Sequence, residues 1–115
     1  MTERLTTILT RILKQPELFQ PIAAVIRASA TEPDMRELMR EFFPGAMVPA
    51  LGGLLGPGDT SLRLNLFGSQ VAGLILVRDV IGVRPITSTP PHAIAEVVAP
   101  TLARYLVGPL TPEGR

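Results

Sequence analysis

The chain has 115 residues, which fits one domain, and eleven basic side chains offset ten acidic ones to leave a net charge of +1. The basic residues form no stripe, so direct binding to nucleic acid is not expected. The absence of cysteine excludes disulfides and thiolate metal sites, and His92 is the single histidine. No signal peptide, membrane span or catalytic constellation is recognised, so we expect a cytoplasmic protein without cofactor or metal that is not an enzyme.

Proline and glycine divide the chain into helical segments without strand patterns, which predicts an all-α fold of about six helices. The first predicted helix covers 3–14, and its apolar stripe includes Leu5 and Leu9. The second covers 17–29. The third covers 32–43, with Met35 and Met39 on its inner face. Pro44 and Gly45 are expected to end it before a short fourth helix over 46–55.

The last two predicted helices are long and apolar. The fifth covers 61–81, and its apolar character on nearly every side from Val71 onwards predicts a fully buried helix. The sixth is capped by Ser88 or Thr89 and runs to Val107. Its predicted buried stripe consists of Ile94, Val97, Val98, Thr101, Leu102 and Tyr105.

Two stretches carry a family resemblance. Residues 62–110 read LRLNLFGSQVAGLILVRDVIGVRPITSTPPHAIAEVVAPTLARYLVGPL, and residues 25–43 read VIRASATEPDMRELMREFF. Both resemble the C-terminal domain of TetR-type transcriptional regulators, and the resemblance extends over nearly the whole chain. It implies a TetR C-terminal-like bundle that forms a homodimer through its last two long helices and holds a ligand pocket in each subunit.

The same resemblance implies that residues 1–115 are the ligand-binding and dimerisation domain without the helix-turn-helix domain that precedes it in the family. Small residues on one face of the fifth helix suit a dimer seam, because they allow close approach of another helix. The alternative is close packing within the subunit. The interface residues expected on this basis are Asn65, Gly68, Ala72, Val98, Leu102 and Tyr105.

A second face of the fifth helix suits a ligand pocket, since a polar anchor among apolar side chains is typical of small-molecule sites. The expected ligand-binding residues are Arg27, Met35, Met39, Phe67, Gln70 and Leu74. For each of these residues an alternative to ligand binding remains open. Gln70 would then be a hydrogen-bonded core residue, and the methionines would be ordinary core residues. Arg27, and likewise Arg78, would pair with an acid such as Asp79 or extend to the surface.

These observations favour the effector-sensing and dimerisation domain of a TetR-type regulator, expected to be a repressor. Its effector is expected to be a small, mostly apolar molecule that controls DNA binding by the missing N-terminal domain. No membrane partner is expected. The alternative function is a stand-alone helical dimer, or a truncated partner that titrates full-length regulators into inactive heterodimers.

Overall fold

The computed structural model describes residues 1–15, 17 and 20–110, with side chains at all of these except 20, 22, 23, 42–50 and 52. The described residues contain helices and turns without strands, which confirms the predicted all-α class. Five α-helices are formed: α1 (Thr2–Lys14), α2 (Gln20–Thr31), α3 (Pro33–Leu51), α4 (Thr60–Ile75) and α5 (Pro91–Val107). A short 3₁₀ turn, Gly52–Leu54, follows α3, and a π-helical turn, Leu76–Ile81, continues α4.

Helix α3 is one continuous helix, so the predicted break at Pro44 and Gly45 is wrong. An interior proline costs a helix about 3 kcal/mol because it removes one hydrogen bond and crowds the preceding turn. Leu51 is the last residue of α3 and Leu54 ends the following turn. Both are buried in the core, with 3% and 7% of their surface exposed. Burying a leucine side chain stabilises by roughly 1.5–3 kcal/mol, which counts against the penalty.

The most extensive helix contact is that of α1 with α5. Leu5 and Leu9 of α1 are fully buried, in one cluster with Ala95 and Ala99 of α5. Alanine side chains occupy little volume, so the backbone of α5 and the leucines of α1 approach closely with few voids. This contact forms the centre of the core, to which Leu64 and Phe67 of α4 are added.

The buried face of α5 differs from the predicted one. Of the six residues predicted for its buried stripe, only Leu102 is buried, whereas Val97 is 78% exposed. The inward side chains are Ala95, Ala99, Leu102 and Leu106. The outward side carries Val97, Thr101 and Arg104, and α1 packs against the inward side with its two alanines.

The start of α5 also differs from the prediction. Its N-cap is Pro90, without a side-chain hydrogen bond. The hydroxyls of Ser88 and Thr89 instead donate to the carbonyl of Pro85, at 3.2 and 2.8 Å, within the preceding turn. The predicted serine or threonine cap is therefore wrong, and a proline at the first helical position, Pro91, sets the backbone angle for the helix.

A buried arginine joins α4 to the end of α5. Arg63 is 6% exposed, and its guanidinium donates to the carbonyls of Gly58 (3.1 Å), Tyr105 (3.1 Å) and Gly108 (2.7 Å). The last carbonyls of a helix lack partners within the helix and carry partial negative charge, so a cation is favourable there. The amide of Gly56 adds a bond to the carbonyl of Leu106 at 2.9 Å.

We expect Arg63→Met to lower the free energy of unfolding by roughly 2–4 kcal/mol, because it removes three hydrogen bonds donated by a buried charged group. Urea denaturation at a fixed protein concentration measures the change. Arg40→Met is the matched control, since Arg40 is exposed and pairs only with exposed Glu37, and its effect should stay within about 0.5 kcal/mol. Equal losses in the two variants would contradict the structural role of Arg63.

Candidate functional site

Helix α4 has a buried face and an open face. Leu64, Phe67, Gly68 and Ile75 lie in the interior. Leu62, Leu66, Ser69 and Gly73 recur at helical spacing on the other side, where Leu62 is 49% exposed. A Cβ atom added at Gly73 would meet nothing within 4 Å. We call these four residues the α4 outer face.

The apolar surface continues beyond α4. The π-helical turn places the amides of Gly82 and Val83 each 3.0 Å from the carbonyl of Val77. Ile81 and Val83 are 62% and 44% exposed. Between Val71 and Ile81 only Ile75 is buried, so the prediction of a fully buried helix is wrong for a single subunit.

The continuous helical stretch Thr60–Ile81 has the length and mean hydropathy of a membrane-spanning helix. The same two properties are met by core helices of soluble proteins, so they identify no membrane segment by themselves. Arg63 is the only charged residue of α4 and it points into the core. The outer face of α4 therefore consists of apolar and small side chains without a charge, of which Leu62 and Ser69 are exposed and Leu66 and Gly73 half-buried.

The residues predicted for the dimer interface fall into three groups. Asn65 is exposed, and Ala72, Val98 and Tyr105 are half-buried, so these four remain available to a partner. Leu102 is fully buried in the core and Gly68 is also buried, so neither lies at the surface of a single subunit. Leu102 belongs to the core cluster that α1, α4 and α5 share.

The predicted ligand residues do not come together as one pocket. Phe67 is 5% exposed and belongs to the core, whereas Gln70 is exposed to solvent. Gln70 is therefore neither the polar anchor of an enclosed pocket nor a core glutamine. Met35, Met39 and Leu74 are half-buried, on α3 and α4.

The two arginines considered as ligand contacts have different surroundings. Arg27 is exposed on α2. Arg78 donates to Asp79 at 3.2 Å and to the carbonyl of Thr89 at 3.1 Å, which confirms the alternative in which Arg78 pairs with Asp79. The hydroxyl of Thr87 donates to the carbonyl of Arg78 at 2.8 Å, so this cluster holds the loop before α5 against the π-helical turn.

A cleft on the outer side of α1 was not anticipated. It is shallow, has a volume of about 370 Å³ and is wide open to solvent, and its described lining residues are Thr6, Thr7, Thr10, Arg11, Lys14 and Gln15. The apolar stripe of α1 does not indicate this cleft. The polar side of the same helix does, because its hydroxyl and cationic side chains share one face at helical spacing.

The comparisons with known proteins agree with the observed helical architecture. A family model described as tetracycline repressor-like, C-terminal domain matches residues 2–106. The comparisons with curated proteins and with solved structures return no match. The family match spans all five helices almost to the end of α5. On this basis the chain belongs to the tetracycline repressor-like C-terminal domain family of TetR-type transcriptional regulators.

Proposed function

We propose that this domain forms a homodimer and senses a small effector, so that effector binding controls DNA binding by an N-terminal helix-turn-helix domain of the parent regulator. The parent acts as a repressor in the cytoplasm. The observation that carries the proposal is the uncovered apolar surface of α4 and the following turn. Contiguous apolar surface of this kind marks a site of association.

The α4 outer face is the proposed centre of the dimer seam. Ser69 and Gly73 have small side chains one helical turn apart, which allows two helices to approach closely. Leu62 and Leu66 supply apolar area beside them, and no charge on this face needs a partner. Val97 and Val107 of α5 are further exposed apolar residues that a partner would cover. Dimer interfaces resemble a domain core in their apolar character, and this surface matches that description.

We expect Gly73→Glu to convert the dimer into a monomer at micromolar concentration. The subunit has room for the new side chain, whereas the seam would bury an unpaired carboxylate. Size exclusion coupled to light scattering measures the mass, and circular dichroism checks that the helices remain.

Gly53→Glu is the matched control, because Gly53 is exposed and a Cβ there also meets nothing within 4 Å. This variant should keep the mass of the wild-type dimer. A wild-type monomer at micromolar concentration, or a dimeric Gly73→Glu variant, would contradict the proposed seam.

The proposed effector is small and mostly apolar, and the residues proposed to contact it are Met35, Met39, Leu74 and Arg27. Methionine side chains are flexible and polarisable, so half-buried methionines adapt to an apolar ligand. Gln70 is exposed and is not part of the proposed site.

We expect residues 1–115 alone to bind DNA without sequence selectivity, or not at all, since the net charge is only +1. An electrophoretic mobility-shift assay with DNA from the promoter region of the parent gene, at two salt concentrations, tests this expectation. An unrelated DNA fragment of equal length is the control. Retardation that selects the promoter fragment and weakens with salt would refute the expectation.

A further inference from the structure

We propose that the cleft on α1 binds a small anion that carries hydroxyl groups beside its anionic group, as hydroxy-carboxylates and sugar phosphates do. The site goes beyond the proposed function. It lies on a different helix from the methionines and leucine assigned to the apolar effector, and it does not depend on the dimer.

Packing on the inner side of α1 fixes the orientation of the helix face that lines the cleft. Leu5, Leu9 and Leu13 are at most 1% exposed on the inner side of α1, which fixes how α1 is turned. Thr6 and Thr10 are consequently half-buried at the edge of that packing and face the cleft. The volume of about 370 Å³ is within the range of roughly 300–1,000 Å³ found for small-molecule sites.

The threonine hydroxyls of the cleft can only accept further hydrogen bonds, because each already donates its hydrogen to a backbone carbonyl. Thr6 donates to the carbonyl of Thr2 at 2.9 Å, Thr7 to that of Glu3 at 3.1 Å, and Thr10 to that of Thr6 at 2.7 Å. A hydroxyl has one hydrogen and two lone pairs, so each oxygen keeps acceptor capacity only. A ligand that satisfies these oxygens must supply hydrogen-bond donors, such as hydroxyl groups.

The other end of the cleft is cationic. Arg11 and Lys14 are exposed in the last turn of α1, and neither forms an ion pair with a described carboxylate. The C-terminus of a helix carries about half a negative elementary charge, which is less than the two positive charges of Arg11 and Lys14. The excess positive charge favours an anion, and the guanidinium offers the paired donors that carboxylate and phosphate oxygens accept.

Titration of ¹⁵N-labelled protein with tartrate and with succinate, at constant ionic strength, tests both parts of the proposal. The two dianions have the same carbon chain, and only tartrate carries hydroxyl groups. We expect saturable amide shifts confined to α1 around Thr6–Gln15, with tartrate binding at least fivefold more tightly than succinate. Inorganic phosphate and glycerol phosphate form a second pair, which shows whether carboxylate or phosphate is the preferred anion.

Variants separate the site from general charge attraction. Arg11→Gln with Lys14→Gln should weaken tartrate binding at least tenfold, and Thr10→Val should reduce the preference for tartrate over succinate. Arg4→Gln combined with Arg36→Gln is the control, because it removes the same charge from exposed positions outside the cleft.

Three results would overturn the proposal: shifts that do not saturate, equal weakening by the control variant, or equal affinity for tartrate and succinate. The first two would identify the polar side of α1 as an ordinary solvated helix face. Light scattering on the same samples reports the dimer separately, so failure of the cleft and failure of the seam are distinguishable.

Discussion

The contact between α1 and α5 is the constraint on which the remaining structure depends. Leucines of α1 lie in one core cluster with Ala95 and Ala99, and this packing decides how both helices are rotated about their axes. Once the alanines face inward, Val97 must face outward, where it is 78% exposed. The same rotation turns the threonines and cations of α1 toward solvent. The exposure of the α1 cleft and of Val97 therefore follows from one contact.

Arg63 fixes the third helix of this core. Its guanidinium takes three backbone carbonyls, two of them at the end of α5, and so determines which side of α4 faces inward. A buried arginine without a carboxylate partner is uncommon, but carbonyls at a helix C-terminus satisfy its donors and complement its charge. The rotation of α4 leaves Ser69 and Gly73 on the uncovered side.

The two surfaces differ in chemistry and so in the partners they suit. The α4 outer face is apolar and lacks charge, which suits a second copy of the chain. The α1 cleft combines hydroxyl acceptors with two cations, which suits a hydroxylated anion. The half-buried methionines of α3 form a third region, where we place the apolar effector. Family membership supports dimerisation and effector binding in general, and the geometry suggests where each takes place.

The sequence alone determined the helical class, the bounds of α1 to within one residue and the family, because these depend on local periodicity and on the order of apolar and turn residues. Only the tertiary structure decided which side of α5 is buried, since apolar residues lie on more than one side of this helix and periodicity does not choose between them. It also decided that α3 continues through Pro44, where the local signal favours a break. Two of the three partners of Arg63, Tyr105 and Gly108, lie more than 40 residues away, and only folding brings them within hydrogen-bonding distance.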